Sequence, residues 1–138
     1  MSASKRDFTD FYSFPGSLNE GTGIYEFPTV VHKDDANRSR EWTIYVRLVK
    51  DGERQNEIDW NLLSENQVPI KDEYFTSATI SDNIIAEAWA ETGITSGKIT
   101  RSIPTYFDHP AFVGQSNERN VFQQALIYAR AQYIKRKD

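Results

Sequence analysis

The residues that could carry acid–base or metal chemistry are few and badly spaced for it. The chain has two histidines, His32 and His109, and no cysteine. A zinc site needs three or four nitrogen and sulfur ligands converging on one point, usually in pairs at short fixed spacings. Neither histidine has a second ligand at such a spacing, so each reads as a surface or turn residue. Asp34-Asp35 is a paired carboxylate, but Lys33, Asn37 and Arg38 around it describe a solvated turn rather than an acid–base dyad. Lys50-Asp51-Gly52 terminates a strand and is one residue short of the Lys-x-Asp-Gly nucleophile of nucleotidyl transferases. The sequence has no phosphate-cradling P-loop, no dinucleotide glycine fingerprint and no Gly-x-Ser-x-Gly nucleophile elbow. It therefore predicts no enzyme, no catalytic residue, no cofactor and no metal.

Composition narrows the remaining classes. A chain of 138 residues is enough for one hydrophobic core and not for two. Hydrophobic residues at 38% and charged residues at 26% belong to an ordinary folded protein rather than a disordered one. Aromatic residues reach 13%, and so many rings must fill a core or mark a contact surface. The lack of cysteine excludes a disulfide framework and fits a reducing compartment. Met1-Ser-Ala-Ser-Lys-Arg-Asp7 has no apolar signal segment and no long apolar run occurs, so the expected setting is intracellular, without membrane contact. The net charge of −4 is unevenly spread: residues 51–82 hold eight acids against Arg54 and Lys71, while the last residues, from Gly114, are net basic.

The elements that must position any site follow from periodicity. Residues 1–23 read as a leader with four rings, Phe8, Phe11, Tyr12 and Phe14, placed to dock on the domain itself or on a protein partner. Ile24–Val31 is a strand broken by Pro28, so an edge strand. The polar run from His32 to Arg40 is a turn. Glu41–Lys50 is the clearest strand: Trp42, Ile44, Val46 and Leu48 form one apolar face, alternating with Thr43, Tyr45, Arg47 and Val49. Residues 51–82 have no sustained period and read as a long acidic loop inserted in the fold, pinned at Val68, Ile70, Tyr74 and Phe75. Strand character returns over Ile84–Glu91 and, after a turn at Gly93–Gly97, over Lys98–Ile103. Asn120 with Gln123 resembles a capping box that starts a final helix, on which Phe122, Ala125, Leu126, Ala129 and Tyr133 share one face. Lys135-Arg136-Lys137 then suits the negative end of that helix. The predicted class is α+β: a small antiparallel sheet covered by one C-terminal helix, with the apolar face of 42–48 under it.

Three stretches, taken in order, resemble the WGR domain family. Arg40-Glu-Trp-Thr-Ile-Tyr-Val46 is similar to the Arg-x-Trp opening of a family strand. Ala88-Trp-Ala-Glu-Thr-Gly-Ile-Thr-Ser-Gly-Lys98 resembles the Trp-Gly-Arg-x-Gly-x-x-Gly-Lys/Gln hairpin. Gly114-Gln-Ser-Asn-Glu-Arg-Asn-Val-Phe-Gln-Gln-Ala125 is similar to the Gly-x-x-Asn-x-Thr-x-x-x-Gln-Ala segment that leads into the last helix of WGR-like domains in viral and phage ATP-dependent DNA ligases. WGR domains also occur in poly(ADP-ribose) polymerases. The match spans about residues 24–138, interrupted by 51–82. The resemblance implies a sheet-plus-helix domain that binds nucleic acid, with Trp89 packing or stacking on sugar, Gly93 and Gly97 shaping the hairpin, and Lys98 following them. The family's Gly-Arg is Ala90-Glu91 here, an anion where a cation would meet phosphate.

With that resemblance, the expected function is a non-catalytic nucleic-acid-binding module of viral or phage type, alone or as the N-terminal part of a ligase-like enzyme. DNA or RNA phosphates would be met by Lys98, Arg101, Arg119, Arg130, Lys135 and Arg136, with Lys137 beside them. The alternative is a protein-interaction or virion structural protein on the same scaffold, using the leader rings or the acidic loop. A third reading makes the acidic segment a mimic of nucleic acid.

Overall fold

The computed structural model describes residues 15–33, 36–50, 67–76, 79–81, 83–94, 97, 99–111, 113–114 and 118–137. The leader rings Phe8, Phe11, Tyr12 and Phe14, the first half of the acidic segment, and Lys98 lie outside them. The described chain is α+β. Its strands are β1 (Ser17–Asn19), β2 (Ile24–Glu26), β3 (Val30–Lys33), β4 (Ser39–Lys50), β5 (Gln67–Val68), β6 (Ile84–Ile94), β7 (Thr100–Arg101) and β8 (Thr105–Phe107). A 3-10 turn, Asp72–Phe75, precedes β6, and the helix α1 (Val121–Lys137) follows β8.

β4 and β6 form the spine, antiparallel and in register from Arg40 opposite Ile94 to Lys50 opposite Ile84. Along the outer edge of β4 lie β3, β2 and β5, each antiparallel to it. Pro28 accounts for the gap between β2 and β3, because it has no N–H to give a ladder. The Phe27 N–H just before it still donates to the Ile44 carbonyl at 3.1 Å. β8 and β7 occupy the outer edge of β6 in the same way. The β3–β4 hairpin turns at Asn37, whose φ of 62° is a left-handed conformation that asparagine tolerates better than most residues.

The core lies between this sheet and α1. Ile44, Val46 and Leu48 of β4 and Ala86 and Ala88 of β6 meet Val121, Phe122, Ala125, Leu126 and Ala129 of the helix, all of them buried. Alanines on β6 let the helix backbone come close, while the larger side chains of β4 fill the space beside it. Each large aliphatic or aromatic side chain buried here contributes about 1.5–3 kcal/mol. Phe122 anchors a ring cluster, edge-on to Phe75 at 5.0 Å and to Tyr25 at 6.4 Å. The helix starts as the sequence predicts: the Asn120 N–H donates to Gln123 Oε1 at 2.9 Å and the Gln123 N–H to Asn120 Oδ1 at 2.8 Å. Asn120 Nδ2 also donates to the Tyr74 carbonyl at 3.1 Å, which ties the cap to the 3-10 turn.

Three expectations need correction. The second half of the acidic segment is more than an inserted loop pinned at a few points: β5 pairs with β4, and Ile70, Tyr74 and Ile80 are core residues. In the sequence no period connects its apolar anchors, but short irregular segments can bury side chains without one. The strand expected over Lys98–Ile103 shrinks to Thr100–Arg101. There the Ser102 hydroxyl accepts the Ala90 N–H at 2.9 Å in place of a backbone carbonyl, and the strand is diverted before Pro104. Ile99 and Ile103 end up 61% and 83% exposed. Gly93, expected in the turn, is part of β6 and pairs with Glu41.

The face of the spine turned away from α1 is also buried. Arg47, Val49, Ile85 and Glu87 are 0–1% exposed and Trp89 is 4%. Leu48-Val49 and Ile84-Ile85-Ala86, apolar without alternation, are the sequence trace of strands covered on both sides.

Candidate nucleic-acid interface

The expected phosphate-binding residues do not form one cluster. Trp89 is buried, stacked on Tyr45 with ring centres 5.3 Å apart, and the Arg47 guanidinium lies 4.8 Å from its ring centre. Its indole N–H donates to Glu91 Oε2 at 3.4 Å. The ring is thus part of an interior layer and presents no open platform. Arg101 stands in register with Glu91 and reaches its carboxylate at 3.5 Å. Glu91 is thereby the cross-strand partner of Arg101. Arg119 bridges to Ala111 ahead of the first turn of α1. A 17-residue helix is about 25 Å long, so Arg119 is far from Lys135. Arg130 lies between them along the helix.

Lys135, Arg136 and Lys137 are exposed in the last turn of α1, and here the fold adds what the sequence did not show. His32 Nε2–H donates to the Arg136 carbonyl at 2.8 Å, and the Arg136 guanidinium lies 5.7 Å from the ring centre of the half-buried Trp42. The helix end is thereby set against the β3–β4 hairpin. His32 is paired with Arg40 and Lys33 with Ser39. Lys33, Arg38 and Arg40 are exposed. Six cations from two segments about a hundred residues apart, Lys33, Arg38, Arg40, Lys135, Arg136 and Lys137, are thus gathered at one end of the molecule. By strand alternation Lys33 lies with Glu41 on the face opposite to His32 and Arg40, so Arg40 is the hairpin cation on the helix side; Asp34, Asp35 and Asp138 lie outside the described residues. β6 runs antiparallel to β4, so the chain leaving Ile94 toward Lys98 departs at this same end.

Part of this arrangement is explained by the helix itself. Its last carbonyls lack intrahelical partners and carry a partial negative charge. His32 satisfies one of them, and the lysines and arginine favour the rest. Lys135 and Lys137 are exposed and can meet a polyanion. Sequence reasoning missed Lys33, Arg38 and Arg40 because the run from His32 to Arg40 reads as a solvated turn. The signal was Arg38-Ser-Arg40 at the start of the best strand, and it gains meaning only with the helix end beside it.

The other polar clusters have different chemistry. On the far face, Arg47 and Glu87 sit opposite each other in the β4–β6 register, 3.5 Å apart, with side chains 2% and 0% exposed. Loss of hydration pushes the Arg47 pKa down, against the pull of Glu87, which raises it. A cleft of about 270 Å³ at the other end of α1 is lined by Ile80, Ile84, Pro110 and Val113 with Asp108 and Glu118 at its rim. Asp108 is paired with the exposed His109 at 2.7 Å. Among the described residues no three His, Asp or Glu side chains are placed to hold a metal ion, and no helix is long and apolar enough to cross a membrane. No protein-family model matches the chain, and no curated protein matches it either.

Proposed function

We propose that this chain is a non-catalytic nucleic-acid-binding module that grips phosphates at the end of the fold where the β3–β4 hairpin meets the last turn of α1. The observation that carries the reading is the contact of His32 with the Arg136 carbonyl, which sets Arg40, the cross-strand partner of His32, at the helix end that carries Lys135, Arg136 and Lys137, with Lys33 and Arg38 on the same hairpin. Cations so placed on rigid elements supply affinity without reading base sequence. The WGR-like motifs favour the same class of ligand. The contact surface on this reading is the hairpin and helix end rather than Trp89. Arg101, Arg119 and Arg130 are peripheral to it.

The test is binding of labelled single-stranded and duplex oligonucleotides at rising salt. Each phosphate neutralised on a duplex contributes about −0.9 to the slope of log K against log salt, so engagement of all six cations gives a slope of roughly −5. Replacing Lys33, Arg40, Lys135 and Arg136 together by glutamine should abolish binding, while Arg119→Gln should leave it nearly unchanged. Absence of salt-sensitive binding at low salt would overturn the proposal. A second reading, a protein-binding module, is favoured by one feature: the exposed Ile99 and Ile103 flank the short edge strand β7, and an open edge with apolar side chains can pair with a partner's strand.

A further inference from the structure

The basic end includes the ring of Trp42, and its surroundings suggest which form of nucleic acid it takes. Trp42 opens β4 on the face turned toward α1, yet it lies beyond the buried core and is only half-buried. The guanidinium lying over its ring belongs to Arg136, an exposed residue of the last helical turn. The neighbours of Trp42 on this face are Val30 opposite it on β3, Thr92 opposite it on β6 and, at the next position, the His32–Arg40 pair. A half-buried ring is thus bordered by Arg40 and covered by the exposed Arg136.

We infer that Trp42 is a stacking platform for a nucleobase and that Arg136 covers it, so that the module prefers single-stranded nucleic acid to duplex. The inference rests on the phosphate-binding reading above. Planar guanidinium groups stack on aromatic rings and also form forked contacts with phosphate. When a phosphate arrives, Arg136 exchanges the ring for the stronger charge-assisted contact and uncovers the indole. The base of the same nucleotide then covers the face that the guanidinium left, within reach of the phosphates held by Arg40 and Lys135. Every base has a flat face, so this contact is tolerant of sequence. In a duplex every base face except the outer faces of the two terminal pairs is occupied by a neighbour, so the platform is offered far fewer faces than on a single strand.

The experiment compares a labelled single strand with a blunt duplex of equal length on the full chain at low salt. Wild type should bind the single strand at least about fivefold more tightly, the lower bound for one stacked base. Trp42→Leu should remove that preference, whereas Trp42→Phe keeps a ring and should retain most of it. Because Trp42 also touches the core, thermal melts establish that each variant is folded. Arg136→Gln, which leaves the ring in place, gives an independent measure: it should weaken both ligands through the lost charge. Single-strand binding should also quench tryptophan fluorescence in wild type and not in Trp42→Phe, where Trp60 and Trp89 remain as reporters. Equal affinity of wild type for both forms, or an unchanged preference in folded Trp42→Leu, would overturn the platform while leaving phosphate binding intact. No salt-sensitive binding to either form would overturn both.

Discussion

Arg47 and Glu87 are the residues whose roles change most between sequence and structure. In the sequence each is a polar member of an alternating strand; in the fold they are a buried, in-register pair beside the stacked rings of Tyr45 and Trp89. A pair removed from water contributes little net stability but is costly to break, because the survivor keeps its desolvation penalty. Glu87→Gln or Glu87→Leu should therefore destabilise the protein by about 3–5 kcal/mol. The double replacement Arg47→Leu/Glu87→Leu should recover much of that loss. Urea melts of the two singles and the double decide the matter: a double variant as unstable as the sum of its singles would show that the two charges do not act as a pair. Glu91 and Arg101 repeat the motif at the exposed edge. Replacing Glu91 by arginine would set two cations opposite each other across β6 and β7.

At the scale of elements, the segment 67–80 decides how the sheet is completed. β5 extends the edge of β4, and the 3-10 turn receives the cap of α1 through the Asn120 side chain. Ile70, Tyr74 and Ile80 fill the end of the core against Phe122. Replacing residues 53–80 by a short Gly/Ser linker should consequently abolish cooperative unfolding in a denaturant titration. Loop closure itself depends only weakly on length and would make such a deletion mild. A folded, cooperatively melting deletion variant would mean that the helix and the β4–β6 spine form the core without this segment.

The whole molecule has a titration signature of its own. Tyr25 is 4% exposed among Phe27, Phe75 and Phe122, and burial pushes its hydroxyl from 10.0 up to about 12. The folded state holds that proton more tightly than the unfolded chain. The resulting stability is complete below pH 10.0 and is lost as the pH rises toward about 12. Tyr45, also raised by burial and by the nearby Glu91, acts in the same direction. Circular dichroism at fixed urea should show unfolding in that alkaline window, and Tyr25→Phe, which has no hydroxyl to ionise, should move it to higher pH. An identical alkaline midpoint in Tyr25→Phe would mean that other groups govern the transition.

What the sequence determined by itself was local. The alternation of Trp42, Ile44, Val46 and Leu48, the reciprocal cap of Asn120 and Gln123, and the apolar face of 122–133 are set by neighbours a few residues away. They fix a sheet face, a helix start and the layer between them. The tertiary structure decided everything that depends on the opposite strand or on chain ends meeting. Arg47 and Glu87 are ordinary surface residues until the β4–β6 register sets them face to face and both sides of the spine are buried. Lys33, Arg38 and Arg40 are a solvated turn until the length of α1 carries Arg136 back to His32. A charge acquires functional meaning from its distance to other charges in space, and for this chain those distances are set by long-range pairing that no local pattern encodes.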